Sequence, residues 1–202
     1  MRQVKWSEVR ETIGPGDLLL FRGTLWYSRI IQHWTASPYS HVGVAYPHQV
    51  DDELFVDILH SMEGRGVEQM PLTNYRENCE IDLFRLDPSS GVKGGKVVRW
   101  YLERRGMSYS SPRQFGRSFL YGPLCDALGL PTRVDDGQVF CSWAATEAVV
   151  YGGHDRERDR LPEGHKVSPG DLSHLSCYLP VGTIVFDDEG SGHDDNSRTL
   201  AA

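Results

Sequence analysis

Five strand-length runs crowd the first 86 residues, and most of the long helical patterns come after them. The runs are Leu18–Phe21, His41–Tyr46, Leu54–Ser61, Val67–Met70 and Cys79–Leu86. Helical periodicity then takes over at Lys93–Arg105, Gln114–Leu128 and Cys141–Tyr151, and one last strand is read at Val181–Phe186. Strands gathered ahead of helices do not alternate as a parallel β/α protein requires. They specify an α+β chain with an antiparallel sheet packed against helices. Alternation sharpens the picture within single runs. In His41–Tyr46, Val42 and Val44 share one face while His41, Gly43 and Ala45 share the other. In Cys79–Leu86, Ile81, Leu83 and Arg85 oppose Asp82, Phe84 and Leu86.

Punctuation between the runs is equally readable. Ser7 is placed to cap a short helix from Glu8 to Ile13, ended by Gly14. Pro15-Gly16-Asp17 turns the chain into Leu18–Phe21. Thr24–Trp34 carries Ile30, Ile31 and Trp34 at helical spacing. Pro47–Glu53 reads as a polar turn, so the strands on either side form an antiparallel hairpin. That hairpin sets His41 beside His60 or Ser61.

At 202 residues the chain suits one domain, residues 1–186, followed by an acidic, disordered tail over 187–202. Acidic residues outnumber basic ones by 28 to 21, which argues against the basic face that nucleic-acid binding needs. Four cysteines show no C-x-x-C pair, which disfavours a zinc ribbon, and a reduced set is expected. Neither a secretory leader nor a membrane-length apolar run is read, so the expected location is the cytoplasm, or wherever other machinery delivers the protein.

The chemistry is sought at Cys141. A short extended run carries it up to a helix of small and apolar residues, Ala144, Ala145, Ala148 and Val149. A thiol in the first turn of a helix feels the positive end of the helix dipole, which favours thiolate. Free cysteines are ordinarily inert core residues, and Cys125 and Cys177 read that way, while Cys79 merely precedes a strand. Cys141 differs if a base reaches it. His41, at a strand start a hundred residues upstream, is the candidate, with His60 across the hairpin or Glu63 in the following turn as the third, orienting group. A Cys-His-His zinc set from the same residues is the lesser reading, and no cofactor is expected. His33, His48, His154, His165, His174 and His193 fall in loops or polar segments and read as solvated.

These motifs in this order resemble the circularly permuted papain-like hydrolases. They are Pro15-Gly16-Asp17 before an apolar strand, Ser37-Pro38-Tyr39-Ser40-His41-Val42-Gly43-Val44, Gly66-Val67, and Phe140-Cys141-Ser142. The group comprises the YiiX/YaeF-type relatives of the NlpC-like cell-wall peptidases, and is related to the lecithin–retinol acyltransferases. The resemblance spans about residues 14–186. It implies a permuted papain-like fold, an antiparallel sheet or barrel against helices, with Cys141 as nucleophile and His41 as base and then acid. His60 falls where many permuted members carry glutamate, although NlpC-type relatives often use histidine there.

The implied reaction is cleavage of an amide or ester bond through a thioester acyl-enzyme, with a peptide, a peptidoglycan-like molecule or a lipid-linked acyl group as substrate. A peripheral lipid contact fits the same picture. Arg22, Trp26, Tyr27 and Tyr39 are candidates to line the cleft, with ordinary packing as the competing role. The other function class is a non-catalytic lipid- or peptide-binding member of the same fold.

Overall fold

The computed structural model describes residues 1–62, 65–77, 79–107, 141–161 and 167–187. Among the described residues seven strands form one sheet: β1 (Gln3–Lys5), β2 (Leu18–Gly23), β3 (His41–Val50), β4 (Glu53–Met62), β5 (Gly66–Pro71), β6 (Cys79–Leu86) and β7 (Tyr178–Val185). Their spatial order is β1-β7-β6-β2-β3-β4-β5. Neighbours run antiparallel except β1, which pairs parallel with β7. The sheet is therefore mixed, and it is open: β1 and β5 are its edges and do not close a barrel. The expectation of an antiparallel sheet or barrel is corrected on both points, while the α+β class stands.

Five helices occur among the described residues: α1 (Trp6–Val9), α2 (Trp26–Trp34), α3 (Gly94–Leu102), α4 (Cys141–Tyr151) and α5 (Pro169–Leu172). None is long and apolar enough to cross a membrane. The helical region expected over Gln114–Leu128, with Cys125, lies outside the described residues, as does Glu63.

The alternation along the central strands builds two cores. Leu18, Leu20, Val42, Val44 and Leu59 face α3 and α4. Leu19, Phe21, Ala45, Ile58, Ile81 and Leu83 face the other way, under Trp6, Val9 and Leu72. Helix α4 is apolar nearly all round, as a helix buried on most sides must be. Ala144, Ala145 and Ala148 are fully buried and let its backbone come close to the sheet and to α3.

Two local expectations change. Ser7 does not cap α1, which starts at Trp6 after Lys5. Its hydroxyl donates instead to Asp187, shortly after β7, at 2.6 Å. The turn expected over Pro47–Glu53 shrinks to Asp51-Asp52, with φ of 49° and 67°, a two-residue hairpin of the type that matches strand twist. Pro47 sits inside β3 because β2 stops pairing at Val44, so no ladder donor is needed at that edge.

Candidate functional site

The hairpin register pairs Gly43 with His60. His41 lies two residues back along β3, diagonal to His60, and its Nε2 meets His60 Nδ1 at 2.7 Å. Gly43 makes this possible. A Cβ there would come within 2.5 Å of the Ile58 side chain and 2.9 Å of the His60 Cβ. Beyond His60, whose side chain is fully buried, Nε2 faces the Glu68 carboxylate at 3.5 Å and the Tyr75 hydroxyl at 3.3 Å. Glu68 is placed by its register, directly opposite His60 on β5.

The direction of the proton chain follows from the carboxylate. Ionised Glu68 only accepts, so Nε2 of His60 carries the proton and Nδ1 accepts from Nε2–H of His41. The hydrogen bond from His60 holds the Glu68 carboxyl below its usual range, against the effect of burial. Nδ1 of His41 is thereby left without a proton. Burial, and then the neighbouring His60, hold His41 well below the usual histidine value, so it rests neutral.

Cys141 is the first residue of α4 and is 7% exposed. Its sulfur accepts backbone N–H groups from Val42, Ser142 and Cys141 itself. These donors favour thiolate, as the helix-start argument anticipates. Burial outweighs them and pushes the thiol up to about 11. The helix dipole is legible in a sequence, whereas the desolvation that outweighs it is not. The resting site is a neutral thiol and a neutral imidazole.

The amide of Val42 ties the thiol to the residue next to His41. The two groups nevertheless belong to different sides of the sheet. Cys141 joins the cluster under α3 and α4 with Val42 and Val44. His41 stands against Phe21, ring centroids 5.5 Å apart, and Phe21 belongs to the opposite cluster, with Tyr75 packed against it. His41 and Val42 are consecutive at the start of β3. Tyr101 of α3 adds a further polar atom on the thiol side. It is fully buried, its hydroxyl has no hydrogen-bond partner among the described residues, and a charge on Cys141 would act on it.

The other expected site residues go elsewhere. Arg22 pairs with Asp82 at 2.9 Å and Glu80 at 3.1 Å, and donates to the Thr183 hydroxyl. Tyr39 donates to the same Asp82 at 2.9 Å. This knot anchors the Ser37–Ser40 loop to β6 and β7, which fixes the approach to His41. Trp26 is 73% exposed, and Tyr27 lies in the same helix, α2. His154, expected in solvent, is buried and paired with Asp159 at 3.0 Å. It falls after α4, where the chain folds back rather than trailing off. Glu68 and Tyr75 were missed from sequence. The signal for Glu68 was the alternation from Gly66, which puts it on the His60 face once the register is known.

No group of three His, Cys, Asp or Glu side chains among the described residues is disposed to hold a metal ion. The facing nitrogens of His41 and His60 are spent on each other.

No protein-family model matches the chain, and no curated protein matches it. A solved structure does. It is described as the metalloprotein YiiX from Escherichia coli O157:H7, with a TM-score of 0.56 and 16% identity, over 84% of this chain and 97% of that one. At that identity the likeness shows a shared fold and nothing finer. Its description as a metalloprotein finds no matching ligand set in the described residues here.

Proposed function

We propose that the chain is a thiol-dependent hydrolase or acyltransferase acting on an amide or ester through an acyl-enzyme at Cys141. One observation carries this: at the start of β3, a histidine whose ring is oriented by a second histidine at 2.7 Å stands next in the chain to Val42, whose amide favours the thiolate of Cys141. In this mechanism Nδ1 of His41 takes the thiol proton as the sulfur attacks the carbonyl carbon. The C=O electron pair moves onto oxygen, and backbone N–H groups at the start of α4 stabilise that charge. Collapse of the intermediate breaks the bond to the leaving group, which receives the proton from His41. A thioester remains. Water or another acceptor attacks it with His41 as base, and the thiol is regenerated. His60 positions His41 and, with Glu68 behind it, stabilises the imidazolium that forms.

What supports this reading is the fold shared with YiiX, together with this chain's own histidine at the start of β3 and cysteine at the start of α4. The neutral resting pair makes it a general-base mechanism rather than one starting from a standing thiolate–imidazolium pair. A second reading, a non-catalytic binding protein, draws on the burial of the thiol and on the imidazole pair's membership of the opposite cluster. The deciding experiment is incubation with activated acyl esters and amides at neutral pH, followed by intact-mass and peptide mass spectrometry. The hydrolase reading expects a hydroxylamine-labile acyl group on Cys141. Unmodified Cys141 with intact ligand binding favours the second reading.

A further inference from the structure

Helix α2 is built the wrong way round for a helix of a free-standing domain. Its inward face is polar. Ser28 is buried against the backbone of Gly23, and Gln32 donates to the Gly23 carbonyl at 3.0 Å. Its outward face carries Trp26, Ile30 and Trp34, exposed by 73%, 46% and 57%. At about 100° per residue, spacings of four keep these three within one narrow stripe, roughly opposite Ser28 and Gln32. Arg29 and His33, both exposed, run alongside the stripe. From Arg22 to Val50 the chain has no aspartate or glutamate, although it holds 28 elsewhere and a net charge of -7. The longest acid-free stretch of this acidic protein is the stretch that turns tryptophans outward.

We infer that α2 docks the protein on an anionic lipid surface, lying in the plane of the interface with Trp26, Ile30 and Trp34 immersed and Arg29 at the headgroups. Tryptophans prefer that boundary because an apolar ring and a polar N–H are satisfied together. An interfacial helix is marked by an apolar stripe with cations beside it. A second copy of the chain is a poorer occupant. Three side chains, worth about 150–250 Å² each when aromatic, and here already partly covered, fall short of the ~800 Å² per partner of a stable protein interface. The docking also has a direction. Helix α2 leaves the end of β2 and leads through residues 35–40 to His41, so immersion brings the His41 end of the sheet towards the lipid. The inference stands on α2 alone and does not depend on catalysis at Cys141.

The test is co-sedimentation of the full chain with phosphatidylcholine vesicles, with and without a quarter phosphatidylglycerol. The wild type is expected to pellet with the anionic vesicles, with a blue-shifted tryptophan emission. Trp26→Ser/Trp34→Ser, at exposed positions, loses tenfold or more in partitioning. Arg29→Glu keeps the stripe and loses the preference for anionic lipid. Cys141→Ser binds as the wild type does. Three results overturn the inference: no wild-type binding to anionic vesicles, equal binding by the tryptophan variant, or a vesicle-free dimer that the tryptophan variant abolishes, which assigns the stripe to a second copy.

Discussion

Cys141 and Cys177 are both buried in the same core, and burial pushes both thiols up, to about 11 and about 12. By titration alone they are nearly alike. Their surroundings differ in kind. Cys177 sits near the Asp159 carboxylate, which opposes a thiolate, while its own amide and the Arg158 charge favour one. Cys141 collects three backbone N–H donors, one from the strand that begins with His41. On the proposed function, what would separate a reactive thiol from a packed one is the set of groups able to receive charge and proton, and not its titration.

The sharpest way to break the comparison is to remove each sulfur. Cys141→Ala should abolish acyl transfer, a loss of about 10⁴-fold or more, in assays of ester or amide turnover. Cys177→Ala should leave kcat within a few-fold, at some cost in stability from the emptied core. His41→Ala comes next. It should lower turnover by about 10²–10⁴-fold, the worth of a positioned acid–base. In the same samples, peptide-resolved alkylation should slow at Cys141 and stay unchanged at Cys177. His60→Gln removes the orienting ring but leaves the base, so a loss near 10²-fold is expected, as for a misplaced group, with kcat falling and KM little changed. Gly43→Ala should mimic it, because the added Cβ meets Ile58 and His60. Overpacking there should also cost about 1–3 kcal/mol in urea unfolding.

Much of this arrangement was legible in the residues. The faces of β3 and β6, the hairpin that brings His41 to His60, and the helix beginning at Cys141 all follow from period-two and period-3.6 patterns. The Glu68 contact was not legible, because it depends on the β4/β5 register, and a slip of one residue would turn it to the other face. Nor was the role of Asp82. Arg22 and Tyr39 looked available for substrate because nothing local announces a carboxylate 60 residues from the one and 43 from the other that binds both. Desolvation of the thiol was invisible for the same reason: burial is a property of the whole fold. Strand β1 is three residues long and takes its place only because β7 is there to pair with it.

The smallest expected effect is on stability. His41 is held well below 6.5, chiefly by burial, and His154 is lowered for the same first reason. The unfolded chain takes up protons at these histidines as pH falls through about 6.5, and the folded protein resists. Unfolding free energy should therefore decline from pH 7 to pH 5 in urea titrations. His41→Gln should flatten part of that slope. An unchanged slope assigns the effect to His154 and to other groups.

The proposed function rests on His41 acting as base toward Cys141, and not on the resting pKa of that thiol. Site-resolved labelling by an activated acyl ester at pH 7, read by peptide mass spectrometry in wild type and His41→Ala, tests this most directly. The account predicts acylation of Cys141 alone among Cys79, Cys125, Cys141 and Cys177, and its loss in His41→Ala. Equal labelling of the four cysteines, or labelling of Cys141 indifferent to His41, would contradict it.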